Sequence, residues 1–370
     1  MRSFIFISPE ENLSAHGIAQ KFSTVHDGID YLNNGGEIVL GALSFHPDRT
    51  PYLFAPDSFQ FSSTTPTLTE QESLTVVSVT DSPSPSQHYE SINRAIGDIK
   101  AGKVDKIVLS RAQRYHLLHE PHPEAILARY MHSAGTGYGY LSAVGNGEYF
   151  VGPSPEILLL KRGKSFISLP LAGTAPRSED STIDNQRAEL LKNSHKDHIE
   201  HAYVTEGLRE ILAPLSRTLD IPRHPSLIRT THTWHLGTRI QGELKENMTA
   251  LELASLLHPT AAVNGYPKNR ALEILKEREP DRGFYAGTVG WSDRHGNGEW
   301  RVAIRSALIG GRDVTAYAGG GIVADSVAAE ELAETSTKLG PIRAVLNLGP
   351  EVVHPVPQGP PHQSSEKDSI

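Results

Sequence analysis

The chain has 370 residues and not one cysteine. That excludes disulfides, thiolate nucleophiles and cysteine-ligated zinc, and it fits a reducing compartment, so the cytoplasm is the expected location. Long hydrophobic runs are also missing. Nothing approaches the ~20 apolar residues a membrane helix needs, and Phe4–Ile7 is too short for a secretory core. No membrane association is expected. Positive charge is in deficit: 35 Lys and Arg against 43 Asp and Glu leave a formal net charge of −8, with no basic run. Nucleic acid is therefore not an expected partner. No internal repeat is evident. What remains is 38% hydrophobic and 21% charged, an ordinary globular composition with ample length for a large core.

The stretch richest in chemistry runs from Gly298 to Gly340. Trp300 to Leu308 alternates with the period of a strand, with Val302 and Ile304 on one face and Arg301, Ala303 and Arg305 on the other. Gly310-Gly311 predicts a turn, and Val314 to Ala318 a second strand in a hairpin. The triplet Gly319-Gly320-Gly321 follows. A helix is expected from an Asp325 or Ser326 N-cap to about Leu339, stopped by Gly340-Pro341. Glu331, Glu334 and Lys338 share one face of it. Bare glycine amides and a guanidinium suit an anion, and carboxylates suit a divalent cation. The same residues also read as a turn, a solvated helix face and a surface arginine.

Upstream, residues 1–80 read as short strands and turns, and 81–89 as a Ser/Pro linker. A strand over VDKIVLSRA places Lys106 on a face with Val104 and Val108, either snorkelling from an edge or held in a cleft as a base. Glu156 opens an apolar strand after Pro153 and Pro155; it is either a wetted strand end or a carboxyl kept protonated by apolar surroundings. One long helix is expected from about 182–185 to Ala213, with Asp197 and Glu200 repelling on one face and Lys196 four residues before Glu200. The run DHIEH has Asp197 where the H-x-x-E-H zinc pattern needs histidine, and HExxH is absent, so zinc is rejected. The tail, 351–370, has no periodicity and is expected to be disordered.

In order along the chain, VDKIVLSR, GPSPEILL, LAGT, KDHIEH, TWHLGT, HPTAAVNGYP, GTVGW, NGEWRVAIR, AGGGIV and AEELAETSTKL resemble the chorismate-utilising enzymes, and among them most resemble isochorismate synthases of the siderophore-pathway type. The resemblance covers about residues 88–346. It implies an α+β fold, a large two-sheet antiparallel β sandwich with outer helices, as a single chorismate-binding domain over 1–350, in which 1–87 is a variable N-terminal part. It implies Mg²⁺ held by Glu200 and Glu334 with Glu331 in support. Gly173, Thr174, His235, Ala262, Arg305, Gly319 and Lys338 would bind substrate, with Tyr317 beside them. Lys106 matches the general base and Glu156 the general acid of a reaction that adds water at ring carbon 2 of chorismate and expels the 4-hydroxyl. Aminating relatives carry glutamine where this chain has Lys106. Ala262 and Val263 match the apolar pair of isochorismate synthases. A salicylate synthase, which also expels pyruvate, and a non-catalytic chorismate-binding homologue are the alternatives. A monomer acting on a small molecule is expected.

Overall fold

The computed structural model describes residues 2–69, 73–134, 137–349 and 351. Two large antiparallel sheets dominate, with ten and nine strands among the described residues, and a three-stranded sheet stands apart from them. Strand Arg2–Ile7 shows how the layers form. Phe4 and Phe6 enter a core shared with Phe54, Trp291 and Trp300 of the nine-stranded sheet. Ile5 and Ile7 turn the other way and pack with Ile126 and Leu127 of helix Pro123–Ala134 and with Leu339 and Ile342 of the C-terminal helix, Ala328–Val345. Period-two alternation thus buries both faces of the ten-stranded sheet, one against a sheet and one against helices. The α+β sandwich with outer helices is the fold that the motifs implied.

The first 87 residues are built into both sheets. Arg2–Ile7 pairs with Gly139–Gly145, and Ile38–Leu43 pairs with Thr288–Asp293. Near one end of the ten-stranded sheet, the long strands Lys106–Leu117 and Asp313–Ile322 pair from His116–Asp313 to Ile107–Ile322.

Four local expectations need correction. Trp300–Leu308 is not one strand. Gly298–Val302 lies in the nine-stranded sheet and Ala307–Gly310 in the ten-stranded one. The chain crosses between them at 303–306, where Arg305 adopts φ +57°, a left-handed conformation uncommon for a non-glycine residue. The long helix is two, Ser181–Lys192 and His195–Leu215, because Ser194 caps the second by accepting the Asp197 amide. The linker at 81–89 is largely helix: Pro85 begins it and Ser84 and Gln87 form a reciprocal capping box. Gly340-Pro341 does not stop the C-terminal helix. The helix runs on to Val345 because Ile342 and Val345 are buried alongside Leu339, and that burial outweighs the one backbone bond that proline cannot make.

Candidate active site

A cleft with about 670 Å³ of empty space opens between strand Asp313–Ile322, the C-terminal helix and the short strand Leu171–Pro176. Pro155, Glu156, Gly173, Thr174, Glu200, His235, Ala262, Val263, Arg305, Tyr317, Gly319, Glu334 and Lys338 all line it. Residues from positions 155 to 338 thus meet in one cavity. Lys106 and Glu331 stand just behind its wall. Both are buried, and a methyl placed on Gly321 would come within 3.0 Å of Lys106 Cε and 2.1 Å of Glu200 Oε1. The third glycine of the triplet is therefore a close approach of backbone to the acidic wall, not a turn.

Glu156 is held by the strand end it opens. Its amide donates to Ser154 Oγ, and its carbonyl accepts the Val302 amide. The carboxyl is buried, and Oε1 has no hydrogen-bond partner. Burial pushes its pKa up to about 8, against smaller opposing effects from the Leu171 backbone and Lys106. At neutral pH it is a proton donor aimed into the cleft. The wetted-strand-end alternative fails because Glu156 is only 2% exposed.

Lys106 does not snorkel. It has no exposed surface, and its Nζ lies 3.2 Å from Glu200 Oε1. Glu200 comes from the second turn of helix His195–Leu215. On the C-terminal helix, Lys338 Nζ donates to Gly319 O at 2.7 Å and pairs with Glu334 at 2.5 Å. Burial opposes charge on Glu334, but Lys338 overrides it and holds the carboxyl below its usual value. Glu331 shifts the other way, up to about 7, through burial and the nearby charge of Glu334. Its Oε1 accepts from Ser326 Oγ at 2.7 Å and pairs with Lys196 at 2.5 Å, while Oε2 is buried without a partner. Ser326, expected as a helix cap, spends its hydroxyl on Glu331 instead; Val327 begins the helix without a side-chain cap.

Among the described residues no three Asp, Glu or His side chains form a ready metal-binding group. Each of the three glutamates is paired with a lysine. The donor set nevertheless suits a hard divalent ion: carboxylate oxygens only, one of them buried and unpartnered, and one carboxyl raised by burial and by the neighbouring Glu334. The histidines offer no zinc alternative. His201 Nε2 bonds to Thr238 Oγ1 at 2.7 Å. His235 lines the cleft, but its nitrogens are occupied by Thr174 Oγ1 at 3.1 Å and Thr233 Oγ1 at 2.7 Å. Burial pushes its pKa well down, so it is a neutral ring that orients Thr174.

The Arg305 guanidinium faces the cleft and makes no hydrogen bond to any described residue. Two contributors escape sequence reasoning. Tyr285 lines the cleft and stacks on Tyr317 with ring centroids 4.9 Å apart; it lies in a turn before its strand, where periodicity carries no signal. Lys196 is visible only as a spacing from Glu200, because its partner Glu331 lies on a distant helix.

The family model described as chorismate binding enzyme matches residues 55–347. The chain belongs to that family. The isochorismate synthase DhbC of Bacillus subtilis is 39% identical over 317 residues, spanning 81% of this chain and 78% of that protein. A Bacillus anthracis crystal structure superposes with TM-score 0.88 at 35% identity, covering 94% of this chain and 96% of the other. MenF, the menaquinone-specific isochorismate synthase of Escherichia coli, superposes with TM-score 0.83 at 25% identity, covering 94% and 89%.

Proposed function

We propose that the chain is an isochorismate synthase, an isomerase that moves a hydroxyl of chorismate from ring carbon 4 to ring carbon 2. The observation that carries the reading is Glu156: an enclosed carboxyl, protonated up to about pH 8, facing the same cleft as the unpaired guanidinium of Arg305. An acid in that state protonates a departing hydroxyl without needing an acidic medium.

Arg305, Lys338 and the backbone at Gly319 bind the carboxylates of the substrate, with Gly173 and Thr174 against the ring and Ala262 and Val263 as an apolar wall. Glu200 and Glu334, supported by Glu331, hold magnesium, which when bound supplies positive charge for a substrate carboxylate. Lys106 is the base. To act, Lys106 first releases its ion-pair proton to solvent and, as a neutral amine, takes a proton from water as that water's oxygen bonds to carbon 2. The ring double bonds shift, the bond from carbon 4 to its hydroxyl breaks, and Glu156 supplies the proton with which the hydroxyl leaves as water. One water enters and one departs, so substrate and product have the same mass. Each proton transfer is worth roughly 10²- to 10⁴-fold in rate.

The chain up to residue 349 acts as one domain, since strands from its first 87 residues complete both sheets. Action as a monomer is part of the same proposal. No described helix is long and apolar enough to cross a membrane. The test is incubation with chorismate and Mg²⁺ followed by mass and fluorescence analysis of products. Isochorismate supports the reading. Salicylate with pyruvate replaces it with the salicylate synthase alternative, and no turnover at all replaces it with a silent binding homologue.

A further inference from the structure

Three lysines are set against the acidic wall, and two of them have other partners or duties. Lys106 has no exposed surface and is the base. Lys338 is held between Glu334 and the Gly319 carbonyl. Lys196 has one ion-pair partner among the described residues, Glu331, and its side chain keeps 23% exposure. It lies in the first turn of helix His195–Leu215, one turn ahead of Glu200, so its stem brings an ammonium to the side of Glu331 across the gap between two helices. Burial works against that charge, but Glu331 first, then Glu334 and Glu200, raise its pKa further than burial lowers it. All three proposed magnesium ligands thus act on one ammonium.

We propose that Lys196 is a tethered stand-in for the metal: it neutralises the acidic wall while no divalent ion is bound and is displaced when one binds. The inference rests on the reading that Glu200, Glu331 and Glu334 hold magnesium. Two consequences follow from competition. The intramolecular cation weakens metal affinity, because the metal displaces a charge already in place. The same cation stabilises the metal-free protein, because without it the buried Glu331 carboxylate faces Glu334 with no cation of its own. Lys196 therefore positions and tunes the site without touching the reacting atoms.

The sign of the effect makes it testable, since general damage to a site does not tighten binding. Titrating MgCl₂ alone into metal-stripped wild type and Lys196→Gln should show the variant binding on the order of tenfold more tightly. In EDTA the variant should melt below wild type, and saturating Mg²⁺ should bring the two together. Equal or weaker binding by the variant overturns the inference. If Lys196→Gln does not stay folded when stripped, wild type decides: amine acylation of Lys196, read by mass spectrometry, should rise when Mg²⁺ is added. Unchanged or lower labelling, in a protein that does bind Mg²⁺, overturns the inference alone. A wild type that binds no Mg²⁺ overturns both the inference and the metal reading beneath it.

Discussion

Glu156 and Glu334 face one cleft from different walls and hold opposite protonation states. Glu156 sits at a strand end of the nine-stranded sheet, buried, with Oε1 unpartnered, and burial lifts its carboxyl to about 8. Glu334 sits one helical turn before Lys338, whose ammonium at 2.5 Å outweighs burial and keeps it ionised. The side chains are chemically identical. The difference lies in whether a cation stands within contact distance, and it divides the cleft into a protonated wall and a charged wall.

The largest expected effects come from removing the proton movers. Glu156→Gln and Lys106→Gln should each lower turnover roughly 10²- to 10⁴-fold while chorismate binding, measured by calorimetry, persists. Near-normal turnover in Glu156→Gln would erase the donor wall. Next is Lys338→Ala, which removes the cation that makes Glu334 different. KM for chorismate should rise about 10- to 100-fold, with kcat changed less; an unchanged KM would mean that Lys338 serves Glu334 alone. Gly321→Ala places a methyl 2.1 Å from Glu200 Oε1, so Mg²⁺ affinity should fall on the order of tenfold, as read by titration of metal alone.

A smaller effect concerns pH. Between 4.5, its ordinary value, and about 8, the buried Glu156 carboxyl keeps a proton that the unfolded chain has released. Its contribution to stability is therefore complete below 4.5 and is lost as pH rises through about 8. Denaturant midpoints of wild type relative to Glu156→Gln should decline across that window, and a flat difference would contradict the raised value. Smallest of all is Lys276→Ala. Its ion pair with Asp48 is exposed on both sides, and a melt should register a change below about 1 kcal/mol.

Much of the cleft is legible in the amino-acid sequence. The glycine triplet, the acidic helix face and the motif order each name residues that do line it. What stays hidden has a common cause. Period-two alternation across Trp300–Leu308 is real locally but silent about which sheet each half joins, and the crossing between sheets is what carries Arg305 to the lining of the cleft. Ser194 and Ser84 are weak local signals that act as helix caps. Gly340-Pro341 is a strong local stop that loses to burial of Ile342 and Val345. Lack of periodicity predicts no structure from 351 onward, yet Glu351 itself accepts from Arg111 and Gln113; residues 352–370 lie outside the described residues.

By itself the sequence carried, in the order of its motifs, the resemblance that implied the family and the two-sheet architecture, and it supplied the side chains for which acid, base and cation-binding roles are proposed. The tertiary structure alone decided which carboxyl keeps its proton, which lysine is enclosed and which ammonium answers which glutamate. Those properties depend on water exclusion and on charges a few ångströms apart in space, brought together from helices and strands far apart along the chain.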